Sequence, residues 1–187
     1  MSGRIAIGET TLRGVYLLQR EPQADERGWL ERMYSTSDLA GMLGSRLIAQ
    51  VNRTLTRAKG TVRGMHYQVP PSAEAKIVSC LRGAIFDVAV DLRRDSPTFL
   101  RWHAETLSAE NRRSLFIPEG FAHGLQALSD DCELLYLHTA AYDPAAERGV
   151  HPQDPRVAIA WPLSIKHLSE RDASHPPLAP DFDGILV

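Results

Sequence analysis

Cysteine is scarce in this chain. Cys80 and Cys132 are the only two in 187 residues, and they form no Cys-x-x-Cys pair and no His/Cys cluster. That argues against a disulfide-stapled module and a Cys-ligated structural zinc; it fits a reducing, cytoplasmic compartment with both thiols packed as small apolar side chains. Excess charge is missing too. The net charge is −2, from 21 Lys and Arg against 23 Asp and Glu, so no overall field draws the chain to nucleic acid or to an anionic membrane, and neither is expected as a partner. Any anionic ligand must be held by a few placed cations. No apolar run approaches the length of a membrane span, and residues 1–12 lack the unbroken apolar stretch of a secretory signal.

Long helical repeats and βαβ alternation are also lacking. What is present, with 43% apolar and 24% charged residues, is the composition of an ordinary globular chain with enough apolar material for one core. Residues 77–81, 84–92, 114–118 and 133–138 read as short strands. In residues 84–92, Ile85, Asp87, Ala89 and Asp91 would face one way and Phe86, Val88, Val90 and Leu92 the other. Pro70-Pro71, Ser96-Pro97, Asp143-Pro144 and Asp154-Pro155 punctuate the chain. Short strands are expected around a turn at residues 25–28, a short helix over residues 35–43 closed by Gly44, and another near Ser169. The pattern predicts an all-β sandwich or barrel with a few short peripheral helices, one domain over residues 1–187 with its core at roughly 47–140.

The most informative stretch is Gly60-Thr61-Val62-Arg63-Gly64-Met65-His66-Tyr67-Gln68. It resembles the first half of the cupin metal motif, in which Gly precedes His-x-His by five residues and a Glu and a Gly follow. Here His66 fills the first His position, Gln68 the second, Lys76 stands at the Glu, and Gly83 follows. An ammonium among the ligands repels a cation, so no metal is expected. An imidazole and an amine sharing one slot suit proton abstraction with stabilisation of an enolate. Pro118-Glu119-Gly120-Phe121-Ala122-His123 matches the second half of the motif, Pro-x-Gly-x-x-His. A lone strand His is ordinarily a hydrogen-bonded core residue; both motifs in order favour His66 and His123 facing one barrel mouth.

Further segments match in sequence order: Asp25-Glu26-Arg27-Gly28, Gln50-Val51-Asn52, Ala75-Lys76-Ile77-Val78, Asp91-Leu92-Arg93, Ser96-Pro97-Thr98, Tyr142-Asp143-Pro144, Glu147-Arg148-Gly149 and Leu168-Ser169-Glu170-Arg171-Asp172. With these the chain resembles the dTDP-4-dehydrorhamnose 3,5-epimerase family of nucleotide-sugar epimerases. The resemblance implies a cupin jelly roll, a homodimer, no metal or organic cofactor, and a nucleoside-diphosphate 4-keto-6-deoxy hexose as substrate. C3 and C5 flank the C4 ketone, so a base can remove either proton, an enolate forms, and an acid returns a proton to the opposite face. By resemblance His66 is the base, Asp172 its partner, Tyr136 the donor and Lys76 the stabiliser of the C4 oxyanion. Ser169-x-x-Asp172 is equally a helix capping box, a second reading of Asp172. His123 is placed near the C4 oxygen or the diphosphate, with Asp87 as a partner across the barrel. Arg27, Arg63, Gln50, Asn52, Glu147 and Arg171 match substrate-binding positions, and Trp29 and Tyr142 offer rings for stacking.

The chain departs from the family pattern in three places. A Glu is usual where Arg32 stands, with Glu31 one place early; in a strand that offset changes the face. Arg171 stands where Lys is usual, and Val150 follows Glu147-Arg148-Gly149 in place of Trp. Arg32 bears on the choice of nucleotide more than on the chemistry. A double epimerase, a 3- or 5-epimerase acting on another nucleotide sugar, and a non-catalytic sugar-binding cupin are the competing readings.

Overall fold

The computed structural model describes residues 4–187. Runs of β-branched and aromatic residues broken by Gly, Pro and Asp give strands β1 (Arg4–Glu9), β2 (Tyr16–Glu21), β3 (Gln23–Asp25), β4 (Gly28–Leu30), β5 (Gln50–Thr56), β6 (Val62–Gln68) and β7 (Lys76–Arg82). The chain continues through β8 (Ala84–Asp91), β9 (Trp102–Ser108), β10 (Arg113–Ile117), β11 (Phe121–Ala127), β12 (Cys132–His138) and β13 (Glu147–Gly149). Two single-turn helices, α1 (Ala40–Leu43) and α2 (Glu170–Ala173), lie at the periphery.

The strands form a six-stranded sheet in the order β1-β2-β10-β7-β12-β5 and a five-stranded sheet in the order β13-β6-β11-β8-β9, with β3 and β4 as a separate hairpin. All pairings between these strands are antiparallel. This is the jelly roll expected from the motifs. Its layers follow from the period-two pattern. Val78, Cys80, Leu115, Ile117 and Leu134 meet Ile85, Ala89, Leu107, Phe121 and Leu125 between the sheets. The outer face of the smaller sheet, with Val88, Val90 and Ala122, is covered by the C-terminal segment through Val157, Trp161, Leu178 and Phe182. That of the larger sheet packs Leu18, Ile77, Phe116 and Leu137 against Leu39, Met42 and Leu43 around α1. Each such fully buried side chain contributes about 1.5–3 kcal/mol.

The helix expected over residues 35–43 is reduced to Ala40–Leu43. The Ser35 hydroxyl accepts the Asp38 N–H at 3.2 Å and meets Ser37 Oγ at 3.0 Å, and such local side-chain bonds compete with the helical ladder. Gly44, at φ 60°, closes the turn as expected. The helix near Ser169 forms, and Ser169 caps it by accepting the Asp172 N–H at 3.0 Å.

Two motif glycines shape the barrel. Gly83, at φ +75°, carries the chain from β7 in one sheet to β8 in the other, and a Cβ there would lie 2.4 Å from Ser129 Oγ. Gly64, at φ +117°, lets β6 approach β11: a Cβ would lie 2.6 Å from Gly124 Cα and 2.7 Å from the His123 carbonyl. Backbone atoms cannot yield as a flexible side chain does. Gly64→Ala is therefore expected to destabilise the fold by about 2–4 kcal/mol, through a left-handed backbone and overpacking together. Urea unfolding of the purified variant measures this, and an unchanged midpoint would contradict the packing described.

Candidate active site

One cavity of about 850 Å³ opens between the sheets. Strand register decides what lines it. On the larger sheet Tyr136 stands opposite Asn52 and Val78, and His138 opposite Gln50 and Lys76. Alternation therefore turns amide, phenol, imidazole and amine toward one face. On the smaller sheet the two motif histidines, His66 and His123, are direct cross-strand partners. Arg63 lies further along β6, its Nε donating to Thr56 Oγ1 at 2.9 Å and so spanning the mouth. Residues 167–172 close the remaining side.

His66 Nε2 lies 2.7 Å from Asp172 Oδ1, and Asp172 Oδ2 accepts the Gly64 N–H at 3.2 Å. The Asp172 side chain is 4% exposed. Burial alone would raise its carboxyl, but the hydrogen bond and charge of His66, with the Gly64 and Ser169 bonds, bring it down to about 2. Both readings of Asp172 hold at once: its backbone N–H is capped by Ser169 while its carboxylate grips the imidazole. Arg171 Nη2 lies 3.0 Å from the same His66 nitrogen, and Arg171 Nη1 is 3.2 Å from both oxygens of Glu147. One ring nitrogen cannot donate to Asp172 and accept from Arg171 together, so a proton on Nε2 turns Arg171 toward Glu147. The rim continues from Glu147 to the Tyr142 hydroxyl at 2.8 Å, and the Tyr142 N–H donates to Gln50 Oε1 at 3.1 Å.

Beside His66 on the smaller sheet, His123 Nε2 lies 2.8 Å from Asp87 Oδ1; the partner is the one expected, but it comes from the adjacent strand β8 and not from across the barrel. Burial lowers the His123 pKa against the pull of Asp87, with Lys76 and His66 lowering it further. Burial, reinforced by Asp87, pushes Tyr136 well above the ordinary phenol range, so at neutral pH it carries its proton. Lys76 is buried, with Nζ 2.9 Å from Glu74 Oε1.

The cavity thus gathers His66, Asp172, Tyr136, Lys76, Gln50, Asn52, Arg63, His123, Tyr142, Glu147 and Arg171. Arg27 and Trp29 do not line this chain's cavity. They sit on the β3–β4 hairpin, where Arg27 pairs with Asp25 at 2.5 Å and Trp29 is 62% exposed. Arg32 and Glu31 stand outside it as well, paired with Asp38 at 3.0 Å and with Arg20 at 3.2 Å. Glu74 and His138 line the cavity and were missed by the sequence reading. Strand alternation from Tyr136 to His138 was the available signal; Glu74 precedes β7 and left none.

Two of the cupin ligand positions hold residues unsuited to a metal. Gln68 is folded into the adjoining loop, donating to the Ser72 and Ala141 carbonyls and accepting the Asp143 N–H at 2.6 Å, and Lys76 is an ammonium. Among the described residues a different trio, His66, Asp172 and His175, brings three donor atoms within 4.8 Å of one another. The Arg171 guanidinium already lies against two of them, which opposes a further cation.

A jelly roll with a carboxylate-held imidazole, a buried phenol and an ammonium around one cavity defines an acid–base pocket on a cupin scaffold. Residues 9–180 match the model of the dTDP-4-dehydrorhamnose 3,5-epimerase family, and the chain belongs to that family. It is 43% identical to a dTDP-4-dehydrorhamnose 3-epimerase of Streptomyces niveus, over 86% of this chain and 78% of that protein. It is 42% identical to a dTDP-4-dehydrorhamnose 3,5-epimerase of Streptomyces griseus, over 95% and 92%. A crystal structure of the Legionella pneumophila 3,5-epimerase in complex with dTDP-4-keto-L-rhamnose superposes with a TM-score of 0.86 at 37% identity, covering 92% of each chain.

The depressed carboxyls give an acid-stability prediction. Burial raises Glu74, but the His138 bond and the charges of Lys76 and His138 outweigh it and hold it at about 2, as Asp172 is held. A folded-state pKa below the unfolded one stabilises at neutral pH, and that stability is lost as pH falls. Each group should contribute on the order of 2 kcal/mol, fully present above about pH 5 and lost by about pH 2. Glu74→Gln should therefore show a shallower fall in urea-unfolding free energy across that window. An equally steep fall would remove Glu74 from the account.

Proposed function

We propose that the protein epimerises a nucleoside-diphosphate 4-keto-6-deoxy hexose at C3, C5 or both, most simply dTDP-4-dehydro-6-deoxyglucose, through an enolate. The observation that carries this reading is a cavity with His66 and Asp172 on one wall and Tyr136 and Lys76 on the other. His66 takes the proton α to the C4 ketone, and Asp172 stabilises the imidazolium that results. Negative charge moves to the C4 oxygen, where the Lys76 ammonium offers hydrogen bonds, while the neutral His123 imidazole gives its one N–H to Asp87. Tyr136 returns a proton from the opposite face, which inverts the carbon. Its raised pKa keeps it protonated until a strongly basic carbanion calls for the proton. Arg63 and Arg171 suit the diphosphate, Gln50 and Asn52 the base and sugar, and Tyr142 and Glu147 the rim. No step calls for an organic cofactor or metal. The free, buried thiols, with Cys80 raised to about 12 chiefly by burial, suit a cytoplasmic setting.

Likeness to a 3-epimerase and to a 3,5-epimerase is almost equal, 43% against 42% identity, so inversion at C3 alone is the second reading. Offering the ketosugar in heavy water separates them: NMR reports which carbons take up deuterium and which invert. His66→Ala should suppress deuterium uptake by about 10²–10⁴-fold. Persistent exchange would remove His66 as the base. Tyr136→Phe should retain exchange and lose inversion; normal inversion would place the donor elsewhere.

A homodimer belongs to the same reading. The β3–β4 hairpin exposes Arg27, Trp29 and Leu30, and the edge strand β5 exposes Val51 and Leu55. A second copy would cover this apolar surface and receive Arg27 and Trp29 at its own cavity. Sedimentation at twice the 20.8 kDa chain mass is expected, and mixing inactive Arg27→Ala and His66→Ala subunits should restore activity. A monomer, or mixed subunits that stay inactive, would refute the exchange.

A further inference from the structure

Glu74 and His138 stand on the wall opposite His66, and the mechanism above uses neither. Register brings them there: His138 faces Lys76 across β7, and Tyr136 lies two residues earlier on the same face of β12. Glu74 bonds to both neighbours, with Oε1 2.9 Å from Lys76 Nζ and Oε2 2.8 Å from His138 Nδ1. The Lys76, Glu74 and His138 side chains are 7%, 10% and 13% exposed. The His138 ring lies nearly parallel to the Tyr136 phenol, centroids 5.9 Å apart and planes 16° from coplanar. His123 meets that phenol edge-on at 6.0 Å and 72°. Tyr136 therefore rests against two imidazoles, each tied to its own carboxylate.

Matching the Lys76 charge needs only one oxygen of Glu74. The second oxygen goes to a nearly buried imidazole, a costly group to place in a wall unless it is bonded. What that imidazole contacts is the flat face of Tyr136. A proton donor works only within a narrow range of distance and angle to the reacting carbon. One carboxylate thus fixes both the amine that faces the developing oxyanion and the ring that sets the plane of the donor.

We infer that Glu74 and His138 are positioning residues for the protonation half of the reaction: Glu74 locks Lys76 and His138 in one frame, and His138 holds the Tyr136 ring in its donating plane. The inference rests on the epimerase reading and assigns His138 no part in proton removal, which is done by His66 across the cavity; Glu74 bears on both halves, through Lys76 and through His138.

The test compares Glu74→Gln, His138→Ala and His138→Phe with the unaltered enzyme on the 4-keto-6-deoxy sugar in heavy water. His138→Ala should lower kcat for inversion by ~10–100-fold, with KM and deuterium uptake into unreacted sugar within ~3-fold of the unaltered enzyme; Glu74→Gln, which also releases Lys76, should lower inversion at least as far and lower uptake with it. His138→Phe keeps a ring against Tyr136 without the Glu74 bond, and should recover inversion at least ~3-fold over His138→Ala. Glu74→Gln preserves shape, so the test survives poor folding of the alanine variant. Normal inversion in both first variants, a change confined to KM, parallel loss of uptake and inversion in His138→Ala, or a phenylalanine variant no better than alanine overturns the inference. An unaltered enzyme that neither exchanges nor inverts the sugar sinks the epimerase reading and this one with it. One that does both while the variants behave in any overturning way sinks this one alone.

Discussion

Asp172 reaches strand β6 twice, through the His66 imidazole and the Gly64 N–H. Both bonds depend on a short helix whose own first turn is held by Ser169. The carboxylate is almost wholly buried, so without these donors it would be protonated or displaced. With them it is an anchor: the C-terminal segment is drawn over the barrel mouth, and the imidazole is held where the cavity begins. The rest of the site is arranged around that contact. Arg171, adjacent in sequence, touches the same nitrogen and ties it to the Glu147–Tyr142–Gln50 rim.

Charge in the cavity is balanced locally. His66 pairs with Asp172, His123 with Asp87, and Lys76 and His138 with Glu74. In a partly dry pocket each unpaired charge would cost several kcal/mol, whereas pairs held by short hydrogen bonds come closer to balance. The arrangement also has a chemical consequence. Two of the groups lining the cavity are kept in defined states at neutral pH by their surroundings. Tyr136 is held protonated by burial and the nearby Asp87, and burial keeps His123 neutral.

Much of this was legible in sequence because it rested on alternation and on spaced motifs. The strands at 77–81, 84–92, 114–118 and 133–138 are each found within one or two residues, since their apolar period matched their burial. The division of Ile85 and Ala89 from Phe86, Val88 and Val90 is the division between the inner core and the outer layer under the C-terminal segment. Pairings that join distant elements were less accessible. Asp87 was matched to His123 as a partner across the barrel, whereas it stands on the adjacent strand of the same sheet. Glu74 sits outside a strand, and nothing in its local sequence says that it turns inward. The helix at 35–43 was over-read because Ser and Asp satisfy their own backbone there. Arg27 and Trp29 were matched to substrate binding, and they lie on a hairpin outside the cavity that the single chain builds; no intrachain pattern reveals which surface a hairpin will serve.

The cupin scaffold explains how an acid–base pocket can stand where other members hold a metal. Metal ligands and acid–base groups need the same thing from a fold: side chains from both sheets converging at one mouth at fixed distances. Strand register supplies that convergence whatever the side chains are, as the direct opposition of His66 and His123 illustrates. Once Lys76 replaces a carboxylate, the site can no longer concentrate positive charge as an ion. It does so instead as an ammonium, which needs an anion of its own. Glu74 supplies it from two residues upstream. The substitution of an amine for a ligand therefore imposes a second change beside it, and His138 uses the oxygen that remains. In this chain the positive charge facing the cavity is thus organised by neighbours that are not themselves ligand positions of the metal motif.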